Sequence, residues 1–140
     1  MQTRRAINAS NANMQAVADA AALYGVRAYR MQSRTFTVEG AGGRSRPMFM
    51  GGWNDRTGIF HAKGMADFLL TPKIQVSTKL GVPIFASVAL WCECKSGMGA
   101  LTADQKAFRE DVLDAGAFWL CCHDSCEELI AWFKKHGVTR

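Results

Sequence analysis

Residues 81–95 read GVPIFASVALWCECK, and no other run constrains the fold of this chain as much. The run is rich in Val, Ile, Phe and Trp, residues that favour a strand packed within a sheet. Yet it ends in Glu93 and Lys95. Side chains alternate across a strand, so Trp91, Glu93 and Lys95 share one face while Cys92 and Cys94 share the other. A lone charge in a core costs several kcal/mol, so the two groups must be partnered, solvated or engaged with an ion. Taken alone, a Glu-x-Lys of this kind is most simply a strand-end ion pair.

The flanking sequence supplies the architecture. Residues 8–25 place Met14, Val17, Ala18 and Ala21 at helical spacing and stop at Gly25. VRAYRMQSRTFTV, residues 26–38, alternates as a strand does. EGAGGRSRP, residues 39–47, is a glycine-rich basic hairpin tip without the Gly-Lys-Ser/Thr of a P-loop. Residues 58–72 predict two short strands around Gly64. Residues 101–116 predict a helix that opens with a Thr102/Gln105 capping box and ends at Gly116. AFWLCC, 117–122, is apolar on both faces and predicts a central strand. DSCEELIAWFKKHG, 124–137, predicts a last helix with Ser125 and Glu128 as a second capping box. With 49% hydrophobic residues and no linker or repeat, this order predicts one α/β domain over residues 1–140, its core spanning about 8–137. The expected form is a mixed central sheet flanked by helices.

Charge and cysteines narrow the function. Residues 1–80 carry eleven Lys/Arg against four Asp/Glu, and residues 81–140 carry six against eight, giving +7 and −2. Such one-sided basicity favours an anionic partner, nucleic acid above all. No apolar run approaches membrane-spanning length, and the start lacks the apolar stretch of a signal peptide, so no membrane association is expected. Five cysteines, two of them adjacent, suit a reducing cytoplasm better than a disulfide framework. Cys121 and Cys122 are strand neighbours that face opposite ways, and Cys126 shares a helical face with Leu129, Ile130 and Phe133. These thiols read as small buried hydrophobes rather than zinc ligands. His123 reads as a loop histidine.

Two features raise the interest of Glu93 and Lys95. Asp67 ends another apolar approach, MADFLL. Gln105 is the polar member of the helical stripe Leu101, Gln105, Phe108, Val112, Ala115, and it would point back to the end of the sheet that carries Lys95. The same amide also completes the Thr102 capping box, and one side chain is expected to serve one of these roles at the expense of the other.

Asp67 followed by Glu93-Cys94-Lys95 and a helix resembles the PD-(D/E)xK nuclease superfamily. The finer pattern is similar to its VRR-NUC branch: Gly64-Met65-Ala66-Asp67, then Glu93-Cys94-Lys95, then Leu101-Thr102-Ala103-Asp104-Gln105 after a glycine-containing turn. The likeness is strongest from Gly64 to Phe133. Two places depart from it. The first helix offers Asn11 with Gln15 where those domains carry Glu followed shortly by Gln, which leaves no acid there for a second metal ion. Ala66 stands where they have proline. The resemblance implies a restriction-endonuclease-like fold and metal-dependent hydrolysis of DNA phosphodiester bonds, including branched or flapped DNA in phage or bacterial DNA processing. Asp67, Glu93 and the Cys94 backbone carbonyl would hold Mg²⁺ or Mn²⁺. Lys95 would stabilise charge or orient water, and Gln105 would position it. Arg44, Arg46 and Arg56 would hold the DNA backbone. A homodimer is the simplest assembly for cutting both strands. The competing expectation is a non-catalytic nucleic-acid-binding module on the same fold, favoured by the missing first-helix acid.

Overall fold

The computed structural model describes residues 4–31 and 34–138. Helix α1, Arg4–Leu23, begins before the expected residue 8 and buries Val17, Ala20 and Ala21, with Tyr24 just beyond its end. Its C-terminus closes at Gly25, where the Val26 N–H reaches back to the Ala21 carbonyl at 2.9 Å. This arrangement satisfies carbonyls that the helix leaves open. The expected strand 26–38 is instead two: β1, Ala28–Arg30, and β2, Arg34–Glu39. Gln32 and Ser33, between them, lie outside the described residues. β2 pairs antiparallel with β3, Ser45–Met50, so the glycine-rich basic loop is a hairpin tip, as its composition indicates.

A second hairpin follows, β4, Trp53–Asn54, with β5, Phe60–His61. The chain then enters β6, Phe68–Leu70, and a third hairpin, β7, Lys73–Lys79, with β8, Val82–Ser87. β9 is Leu90–Lys95. The run 81–95 is therefore two strands, not one. Its first half pairs with β7 and exposes Val82, Ile84 and Phe85, and only its second half enters the central sheet. An apolar run has no mark showing where its pairing partner changes, so composition cannot reveal the break at Val88 and Ala89.

Helix α2 is Ala103–Asp114, strand β10 is Phe118–His123 and helix α3 is Glu127–Lys135. The central sheet has the order β1-β6-β9-β10, with β6 antiparallel to both β1 and β9 and β10 parallel to β9. β10 is thus an edge strand rather than a central one. It is apolar on both sides because helices cover both of its faces, which composition cannot distinguish from a central position. The second capping box does not form. Cys126 occupies the cap position, the Ser125 hydroxyl accepts from the Glu127 N–H, and Glu128 turns back to accept the His123 N–H.

The larger core lies on one face of the sheet, where α1 and α3 meet Phe68, Leu70, Leu90, Cys92, Cys94 and Cys122. Cys126 packs against this core, and Cys121 points the opposite way from Cys122. The smaller core lies on the other face, where Phe108 and Val112 of α2 meet Ala66, Trp53, Trp91 and Trp119. Phe108 stands edge-on to both Trp53 and Trp91, with ring centroids 5.1 and 5.0 Å away. Asn13, only 3% exposed, stitches the layers together. Its amide nitrogen donates to the carbonyls of Lys95 (3.0 Å) and Cys122 (3.3 Å), at the ends of β9 and β10.

Gly64 sets the spacing between the approach to β6 and the start of α2. Its φ is +99°, and a Cβ there would fall on the Asp104 backbone carbonyl. Gly64→Ala combines a disfavoured backbone angle with a backbone clash, so a loss of about 2 kcal/mol or more is expected. Urea unfolding should show a lower midpoint with an unchanged slope.

Candidate active site

The segments that carry Asp67, Glu93, Lys95 and Gln105 meet at one end of the central sheet. β6 begins there and β9 ends there, since Phe68 pairs with Cys92 and Leu70 with Leu90. Asp67 immediately precedes β6. One of its oxygens accepts the Cys94 N–H at 2.8 Å, two residues beyond Cys92, where the β6–β9 pairing ends. The carboxylate thus continues the ladder where β6 has no backbone left to offer. The N–H and C=O of one residue leave an extended strand on the same side, so the Cys94 carbonyl also opens toward Asp67.

Glu93 lies on the α2 face of β9 and is 4% exposed. Gln105 reaches it from the first turn of α2, donating from Nε2 to Glu93 Oε1 at 3.0 Å. The Gln105 carbonyl oxygen meanwhile accepts the Thr102 N–H, and the Thr102 hydroxyl accepts the Gln105 N–H. The expectation that one amide must neglect one of its two roles is therefore overturned. The amide has an accepting end and a donating end, and each serves one role.

Burial pushes the Glu93 carboxyl up to about 8, aided by the charge of Asp67 and a hydrogen bond with it, while Lys95 pulls in the opposite direction. Two carboxyl groups in contact cannot both ionise cheaply, so the buried Glu93 holds its proton to a higher pH than a free carboxyl does. Lys95 is half-buried at the end of β9, with its stem against Gly99. No acid among the described residues pairs directly with it. On the neighbouring strand, burial pushes the Cys121 thiol up to about 11, with the negative charge of Glu93 adding to the effect.

Two carboxylates and one backbone carbonyl are oxygen donors of the kind a hard divalent cation takes. Among the described residues, no three His, Cys, Asp or Glu side chains gather as a metal cage. A cation held here would keep a mostly aqueous shell, as Mg²⁺ commonly does.

The expected DNA-contacting arginines separate. Arg44 and Arg46 are exposed on the β2–β3 hairpin. That hairpin leaves the sheet at the Asp67 end, where the Met31 N–H bonds to the Asp67 carbonyl at 2.8 Å. Arg56 is instead tied to α2, pairing with Asp111 at 3.3 Å and Asp114 at 2.9 Å. Its charge is largely matched within the fold. Asn11 and Gln15, the counterparts of the first-helix Glu and Gln, are exposed beside Arg30 in an open groove between α1 and β1. It is Asn13 that touches the end of β9. The signal was available, because Asn13 is the polar member of the stripe Asn13, Val17, Ala20, Tyr24, just as Gln105 is in α2.

No family model, curated protein or solved structure matches this chain. Among the described residues, no helix is long and apolar enough to cross a membrane.

The raised Glu93 pKa gives stability a definite pH dependence. The folded chain binds this proton more tightly than the unfolded chain, whose carboxyl titrates near 4.5. The contribution is full below about pH 4.5 and is lost as pH rises toward about 8. In the presence of chelator, wild-type stability against urea should fall across that window more steeply than that of Glu93→Gln. Adding Mg²⁺ or Mn²⁺ above pH 7 should recover part of the loss for wild type alone.

Proposed function

We propose that this chain is a divalent-cation-dependent nuclease that hydrolyses phosphodiester bonds in DNA, on a restriction-endonuclease-like fold of the VRR-NUC kind. One observation carries the reading. Asp67, Glu93 and Gln105, distant in sequence and drawn from three elements, meet in hydrogen-bond contact beside Lys95. The mixed sheet with helices on both faces supports the same reading.

Asp67, Glu93 and the Cys94 carbonyl would hold Mg²⁺ or Mn²⁺. When bound, such an ion polarises the scissile phosphate and lowers the pKa of a water. Gln105 holds one Glu93 oxygen in place, so the acid is set before any ligand arrives. Lys95, two residues from a metal-binding acid, has little structural reason to be there, since it would repel the cation. Its ammonium serves where the phosphate gains negative charge in the transition state. Arg44 and Arg46 bind the phosphate backbone without reading sequence. Branched or flapped DNA and action as a two-fold dimer in the cytoplasm of a bacterial or phage-infected cell complete the proposal.

Lys95→Ala should leave folding, metal affinity and DNA affinity nearly intact while slowing single-turnover cleavage by on the order of a hundredfold or more. Lys95→Arg should rescue poorly, because a planar guanidinium does not replace a compact ammonium. The assay compares branched, flapped and linear DNA in Mg²⁺ and Mn²⁺. Wild type that binds DNA but cuts none of these substrates with either ion would instead identify a binding module.

Changing Arg44 and Arg46 together to Ala should weaken binding to all sequences alike and reduce its salt dependence by a slope of about 2, roughly 1 per phosphate contact. Arg56→Ala should alter that slope far less. Fluorescence anisotropy across a salt series measures both.

A further inference from the structure

The face that carries Glu93 and Lys95 continues onto the next strand. β10 runs parallel to β9 with Cys121 beside Glu93 and His123 beside Lys95. Paired residues of adjacent strands point to the same side, so His123 joins the face of the candidate site. Its Nε2 lies 3.7 Å from the Cys121 sulfur, two residues back on that face. Its side chain is 47% exposed, open to a substrate.

The groups around this imidazole are few. Lys95 faces it from β9 and Cys121 from its own strand. Glu128 faces it from α3, with Oε1 3.8 Å from His123 Nδ1 and accepting the His123 N–H. The other Glu128 oxygen is buried and has no hydrogen-bond partner among the described residues. Asp124 is turned away, its carboxylate taken up by the Gly97 N–H at 2.7 and 2.8 Å. Glu128 fixes the backbone at His123 and sets its carboxylate 3.8 Å from Nδ1, too far to bond the ring, while Nε2 has only the weak thiol contact.

We propose that His123 is a further catalytic residue, the proton donor to the oxygen that leaves phosphorus. The proposal rests on reading the site as a nuclease. In the step, a water oxygen forms a new bond to phosphorus and gives up one of its protons to the solvent. The bond from phosphorus to the bridging sugar oxygen breaks, and its electron pair stays on that oxygen. The Nε2 proton of the imidazolium moves to it, and the ring later regains a proton from solvent. The layout suits an in-line displacement, in which the entering and leaving oxygens lie on opposite sides of phosphorus. Asp67, just before β6, and His123, at the end of β10, lie on opposite sides of β9, about two strand spacings or roughly 10 Å apart.

The test compares His123→Asn with wild type on ordinary DNA and on DNA whose bridging leaving oxygen is replaced by sulfur, in Mn²⁺. A thiolate leaves without a proton. His123→Asn should therefore slow cleavage of ordinary DNA on the order of a hundredfold and leave the sulfur substrate unaffected. Glu128→Gln should show the same pattern more weakly, and thermal melts should show both variants folded. Equal rates for His123→Asn and wild type on ordinary DNA would overturn the assignment alone, as would an equal loss on both substrates. Wild type that cuts neither substrate would overturn the nuclease reading and this assignment with it.

Discussion

The side-chain amide of Gln105 is the contact on which the rest of this architecture depends. Its oxygen closes the first turn of α2 and its nitrogen holds a buried carboxyl of β9. One group therefore sets where the helix starts and where the acid sits. The helix can approach this closely because Gly64 has no side chain to meet Asp104. Once α2 is placed, Phe108 fills the space between Trp53 and Trp91, and the smaller core forms around it.

The site built on that contact sets two carboxyls side by side. Glu93 lies where water is scarce and beside the charge of Asp67, and both raise its carboxyl to about 8. Lys95 offsets some of this charge. Folding energy from both cores holds the acids in an arrangement they would not adopt on their own. That is a general property of sites prepared for chemistry before the ligand arrives.

The hairpins divide the surface between the two ends of the sheet. The β2–β3 hairpin, with Arg44 and Arg46, leaves from the Asp67 end. The β7–β8 hairpin leaves from the opposite end and exposes Val76, Leu80, Val82, Ile84 and Phe85. Arg56 looks equivalent to the other arginines in sequence. It differs because Asp111 and Asp114, one turn apart on α2, reach it first.

Much of the candidate site was legible in the sequence because it follows from periodicity. Alternation along β9 put Glu93 and Lys95 on one face, and helical spacing singled out Gln105. The stops at Gly25 and Gly116 were likewise local, since positive-φ positions favour glycine. By the same logic Asn13 was readable as a polar residue on an apolar stripe. What could not be read is everything that depends on which strand lies beside which. The split of residues 81–95, the edge position of β10 and the placing of His123 beside Lys95 all arise from pairing between segments far apart in the chain. Local sequence determines a strand's faces, because the backbone geometry of each residue does so alone. Only tertiary structure decides a strand's neighbours, because pairing energy depends on the competing segments of the whole chain at once.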